Sequence, residues 1–134
     1  MLHLRSRASD RQLLIKAVRA GSFLIELVGH PVQAQTQAWV EMESDSFADF
    51  FCELARSERP WEGERKWWSM EGELAIAATC SSLGVVVFQV TLCGMQGAPE
   101  EWRVRVGIEA ELGQLTGLAE EARALVLIEG GHAV

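Results

Sequence analysis

Hydrophobic and polar positions along the chain follow two periods. Gln12 to Val18 (QLLIKAV) reads as a first strand, and Ser22 to Val28 (SFLIELV) as a second with Phe23, Ile25 and Leu27 on one face. Alternation of this kind marks half-buried strands. Ala20-Gly21 is expected to turn the chain between them, and Gly29-His30-Pro31 to break the second, because Gly and Pro both interrupt regular structure. Ala34 to Met42 follows as a third strand, with Gln35, Gln37, Glu41 and Glu43 on a wet face. The period then changes to that of a helix. Phe47, Phe50, Phe51 and Leu54 fall on one side, with Asp49, Glu53 and Arg56 away from it. Ser46 is the expected N-cap after Ser44-Asp45, with Asp49 in a weak capping box, and Arg59-Pro60 ends the element.

Four further strands are predicted: Glu64 to Met70, Glu73 to Thr79, Gly84 to Leu92 and Glu101 to Ala110. In the last of these Trp102, Val104, Val106, Ile108 and Ala110 point inward, and Arg103, Arg105 and Glu109 outward, which calls for an antiparallel sheet with one solvated face. A second helix is expected from about Gly113 to Ile128, burying Leu115, Leu118, Ala122, Leu125 and Ile128 and stopped by Gly130-Gly131. The spacing of Gly113 and Gly117 predicts close packing of that helix on the sheet. The predicted order is βββ-α-ββββ-α. Runs of adjacent strands mean hairpins rather than crossovers, so the class is α+β. The expected architecture is a curved antiparallel sheet of about six to seven strands with two helices on one face. Residues 1–134 make one domain, with residues 1–10 as a disordered basic leader.

Charge changes this picture. The 134 residues carry a net −7, which argues against a general binder of nucleic acid or anionic membrane. The charge is uneven. Arg5, Arg7, Arg11, Lys16 and Arg19 stand against Asp10 alone over residues 1–21, while the rest of the chain is strongly acidic. The acidic residues come in close pairs: Glu41 with Glu43, Glu62 with Glu64, Glu71 with Glu73, Glu100 with Glu101, and Glu109 with Glu111. Pairs two apart on a strand share a face. Such a face is simply solvated, built to meet a basic partner, or a source of paired carboxylates for glycosidic acid–base work.

Candidate chemistry is sparse. His3 and His132 lie in segments expected to fray, and His30 sits in a turn, so no zinc-ligand spacing is present and no cofactor is implied. Cys52, Cys80 and Cys93 form no CxxC, and each lies in an apolar setting, where a free thiol behaves as a small hydrophobe. With no apolar leader segment and no run long enough for a membrane span, a reducing cytoplasm is the expected location. No phosphate-cradling glycine motif occurs.

The tryptophans are the most distinctive feature. Trp61, Trp67 and Trp68 fall within eight residues, beside Glu58, Glu62 and Glu64. Trp67 and Trp68 are adjacent, so on a strand one faces the core and the other the outside. An outward Trp suits an interface anchor. The candidate contact residues are Trp61, Glu62, Glu64, Trp67, Trp68, Glu71 and Glu73.

Phe47 to Leu54 (FADFFCEL), Trp61-Glu62-Gly63, Arg65-Lys66-Trp67, Glu73-Leu74 to Thr79, Gly84 to Val90, Trp102 and Gly113-Gln114-Leu115 together resemble a family of small bacterial proteins known only as a domain of unknown function. Val85 departs from the pattern, where a polar residue or His was expected after Gly84. In size, charge and α+β layout the chain is similar to immunity proteins of bacterial polymorphic-toxin systems. That resemblance implies a non-enzymatic protein that neutralises a cognate toxin or effector with a basic surface by occluding its active site. The alternative is a small-ligand or carbohydrate-binding module that uses an exposed Trp as its platform.

Overall fold

A computed structural model describes residues 1–19, 21–40 and 46–130 of the chain, with side chains as far as residue 126. Strands β1 (Leu2–Arg5), β2 (Gln12–Arg19), β3 (Ser22–Gly29) and β4 (Val32–Trp39) form a first antiparallel sheet in sequence order. Helix α1 (Ser46–Ala55) leads to a second sheet, also a meander, of β5 (Arg65–Trp68), β6 (Leu74–Cys80), β7 (Val85–Gly94) and β8 (Trp102–Glu111). A single 3-10 turn (Leu112–Gln114) then opens into helix α2 (Leu115–Gly130).

The class is α+β, but the single curved sheet expected from the sequence is two sheets of four strands, and neither closes on itself. The break falls at α1, which interrupts the run of hairpins. The sheets meet at both margins. Arg7 N–H donates to the Glu109 carbonyl at 2.9 Å, and Met70 N–H donates to the Trp39 carbonyl at 2.9 Å. Thr36 Oγ1 adds a bond to the Cys93 carbonyl at 3.0 Å.

The disordered leader is also corrected. Leu2–Arg5 pair with β2, placing Leu2 opposite Ile15 and Leu4 opposite Leu13, and both leucines are buried. Two apolar residues at alternate positions suffice, because a ready-made partner strand satisfies their backbone groups. His3 is held with them. Its main-chain N–H donates to Glu121 Oε1 at 2.7 Å, and its ring bonds Gln12 Oε1 at 2.6 Å.

One apolar face of each sheet contributes to a common core with both helices. In α1 the predicted stripe of Phe47, Phe50, Phe51 and Leu54 is buried. Phe47 joins the two sheets: its ring meets Phe23 of β3 edge-on at 5.1 Å and Trp67 of β5 at 5.0 Å. Phe51 reaches Phe88 of β7 at 6.1 Å. Helix α2 lies against α1, β1 and β2 and buries Leu115, Leu118, Ala119, Ala122 and Leu125.

Two glycine readings divide here. Gly113 and Gly117 face open space, so their spacing does not mark close packing of the helix. Gly94 does have a packing reason, because a Cβ there would overlap the Trp102 indole beside it. Helix α1 ends at Ala55, ahead of Arg59-Pro60. Of the earlier expectations, Ala20, Glu41, Met42, Glu43, Ser44, Asp45, Gly131 and His132 lie outside the described residues, as does the Ile128 side chain.

Substitution Phe47→Ala is expected to cost about 3–5 kcal/mol and Leu4→Ala about 2–5 kcal/mol of stability, measured by urea denaturation. A change below about 0.5 kcal/mol for Leu4→Ala would return the N-terminus to a disordered leader.

Candidate functional site

Strand β5 decides which aromatic side chains reach the surface. Its residues alternate, so Trp67 is 7% exposed and Trp68 is 64% exposed. Trp67 packs on Phe47, and its Nε1–H donates to Ser46 Oγ at 3.1 Å. Ser46 is thus the first residue of α1 and the anchor for an indole. Trp61 is buried as well: its Nε1–H donates to the Ala78 carbonyl at 3.2 Å, and the Arg65 guanidinium covers its ring at 4.6 Å. A buried indole finds an acceptor for its N–H, as both of these do.

The expected contact residues therefore separate. Trp61, Trp67 and Glu73 are buried, while Glu62, Glu64, Trp68 and Glu71 are exposed. Glu73 is a structural junction. Its Oε1 accepts from the Ser69 hydroxyl at 2.6 Å and its Oε2 from the Trp39 N–H at 3.2 Å. Ser69 Oγ in turn accepts from the Leu74 N–H at 3.1 Å. This carboxylate holds the end of β4 against the β5–β6 turn. A buried carboxylate survives in a fold when its oxygens are hydrogen-bonded in this way.

The outer face of the second sheet carries a shallow groove of about 220 Å³. Strand register places its parts. One cross-strand row runs Trp68, Ala75, Thr91, Arg105, and the next runs Lys66, Ala77, Gln89, Gly107. Arg103 lies two residues before Arg105 on the same face. The floor is low because Ala75 and Ala77 are small. One bank is Trp68 with Lys66 on β5; the other is Arg103 with Arg105 on β8. At the usual strand spacing the banks stand about 14 Å apart at the backbone.

The charges on this face differ from the expected acidic surface. Lys66, Arg103 and Arg105 line the groove, and the one carboxylate among its lining residues, Glu64, pairs with Lys66 at 3.3 Å. Arg105 Nε–H donates to Gln89 Oε1 at 3.4 Å. Arg103 has no hydrogen bond or ion pair among the described residues.

Beyond the groove, Met70 is 60% exposed and Trp39 is 42% exposed. The backbone bond from Met70 to Trp39 brings them together at the end of β5, beside Trp68. The tryptophan cluster in the sequence pointed to Trp68. Alternation placed Arg103 and Arg105 outward, yet nothing local shows that β5 stands opposite β8 across a groove. Trp39 carried no signal, since it closes a strand whose outer face is otherwise glutamine. No group of three or more His, Cys, Asp or Glu is placed to hold a metal among the described residues, and the three cysteines are free. Nor is any helix among those residues long and apolar enough to cross a membrane.

A family model described as a family of unknown function, DUF6228, matches residues 7–128, and the chain belongs to that family. The match takes in α1, all five tryptophans and the whole second sheet. No curated protein and no solved structure matches the chain.

The two adjacent tryptophans are expected to behave oppositely in urea denaturation. Trp67→Ala should lose about 3–5 kcal/mol, and Trp68→Ala should stay within about 0.5 kcal/mol of the parent. Glu73→Ala should cost about 1–3 kcal/mol, because the Trp39 N–H and Ser69 hydroxyl lose their acceptor.

Proposed function

We propose that this member of DUF6228 is a non-enzymatic binding protein of the immunity type, which neutralises a cognate bacterial toxin or effector by lying across its active site. The observation that carries this reading is Trp68, a large apolar side chain 64% exposed on a rigid sheet. Met70, two residues on, is 60% exposed, and Trp39, its ring under the Arg19 guanidinium at 5.3 Å, is 42% exposed at the same end of the sheet, and exposed apolar groups of this sort mark protein contact surfaces. Polar and charged groups surround them: Lys66, Arg103 and Arg105 on the groove side, with the exposed Glu62, Glu64 and Glu71 on the same β5 region. An aromatic anchor inside a polar rim is the usual anatomy of a protein–protein interface.

The fold supports the anchor. Trp67 is fixed behind Trp68 by Phe47 and Ser46, so the outward ring is presented by a strand that is already ordered. Preordered anchors cost less entropy on binding. Groove size favours a macromolecule over a small ligand. At about 220 Å³ and open to solvent, it falls below the roughly 300–1,000 Å³ of enclosed ligand pockets. Occlusion of an active site needs breadth, on the order of 800 Å² per partner. The outer face of four strands with the Trp39–Met70 end can supply that.

Survival of cells tests the role. The reading frames flanking the gene are expected to include a toxin domain, and cells that express it are expected to survive when this protein is co-expressed. Protection should fall by at least about tenfold when Trp68→Ala and Met70→Ala are combined, as loss of an interface anchor predicts, with the thermal midpoint unchanged. Undiminished protection by the double variant, or no protection by the parent, overturns the reading.

A further inference from the structure

We infer that the groove on the second sheet receives an extended, acidic segment of a protein partner, with carboxylates at alternate positions. The inference rests on the reading of this face as a protein-contact surface and goes beyond it by assigning the partner's chemistry. It also reverses the charge expected of the partner at this site.

Geometry carries the argument. Arg103 and Arg105 are two apart on β8 and turn the same way, so their origins are about 6.8 Å apart along the strand. Carboxylates two apart on an extended segment have the same separation. Each guanidinium can hold a carboxylate through two parallel N–H bonds. Arg103 has no partner among the described residues, and Arg105 has only the long bond to Gln89. Both are exposed and available. Across the floor, Trp68 stands in the same row as Arg105, and Lys66 in the next. A segment lying along the groove between β5 and β8 would turn one set of side chains to the arginines and rest apolar ones on the Trp68 ring. The alanine floor leaves room for its backbone. Lys66 and Glu64 pair on the far bank and leave it without net charge, so the attraction for carboxylates comes from the arginine bank.

Charge arithmetic selects a peptide over nucleic acid. Polyanion affinity comes from many phosphate contacts and the counterions they release. Here two unpaired arginines sit on a chain of net −7, which repels a long polyanion while leaving a short acidic segment able to dock.

The full chain, with amide and indole resonances followed by NMR, is titrated with three probes: a short peptide alternating Glu and Val, its Lys–Val counterpart, and a single-stranded oligonucleotide. The Glu–Val peptide is expected to saturate, with shifts confined to β5–β8 and the Trp68 indole. The combined variant Arg103→Glu, Arg105→Glu should weaken that peptide at least about tenfold, the loss expected when close charge pairs are removed, and should gain affinity for the Lys–Val peptide. Equal binding of both peptides, shifts centred elsewhere, or preference for the oligonucleotide overturns the inference. The same variant separates this inference from the broader role. If Trp68→Ala abolishes protection against the toxin while Arg103→Glu, Arg105→Glu leaves it intact, the contact face stands and the acidic segment falls. If the charge variant loses the Glu–Val peptide while the parent itself gives no protection against the toxin, the immunity role falls and the acidic-segment site stands.

Discussion

Neighbouring residues on a strand face opposite ways, and at Trp67–Trp68 that constraint organises the molecule. Trp67 is drawn inward by Phe47 and Ser46. Trp68 then has no choice but to face out. The core contact of one indole therefore sets the exposure of the next, and a surface feature is enforced from beneath. Phe47 makes the arrangement hold across the fold, since the same ring meets Phe23 of the first sheet. Two sheets that share no strand-to-strand ladder among the described residues are thereby tied through a helix as well as at their margins.

Polar groups make a second tie where the apolar core runs out. Glu73 satisfies Ser69 and the Trp39 backbone together, and the Met70 to Trp39 bond lies beside it. This small network fixes the end of β4 against the turn between β5 and β6. It also places Trp39 and Met70 at the surface near Trp68. A carboxylate that looked like part of an acidic contact face serves instead to position the apolar one.

Most of the strands were legible because their alternation is strong. The β-branched run of β7 and the clean pattern of Trp102 to Ala110 leave little choice of structure. The helical stripe of Phe47, Phe50, Phe51 and Leu54 was equally plain. What escaped was non-local. Leu2 and Leu4 offer only two apolar positions amid basic residues, and they become a strand because β2 is there to pair with them. The division into two sheets depends on which strands fail to pair, and no residue announces that. The candidate site shows the same limit. Its aromatic anchor was visible as one of two adjacent tryptophans, but the cationic bank opposite exists only through the order of β5 to β8. Residue type alone also could not separate Glu73, which is buried, from Glu71, which is not.

The two banks of the groove are also the two edge strands of their sheet. The first sheet covers part of each edge through the Arg7–Glu109 and Met70–Trp39 bonds, and where an edge stays open proteins restrain its pairing with short strands and charged side chains. β5 is only four residues long and carries Arg65 and Lys66; β8 carries Arg103 and Arg105. A second copy laid parallel along either edge would bring the same cations against these. The side chains that face the groove thus also bear on which strands these edges accept, since a parallel copy meets like charge while an antiparallel β8 would set Arg105 opposite Glu109.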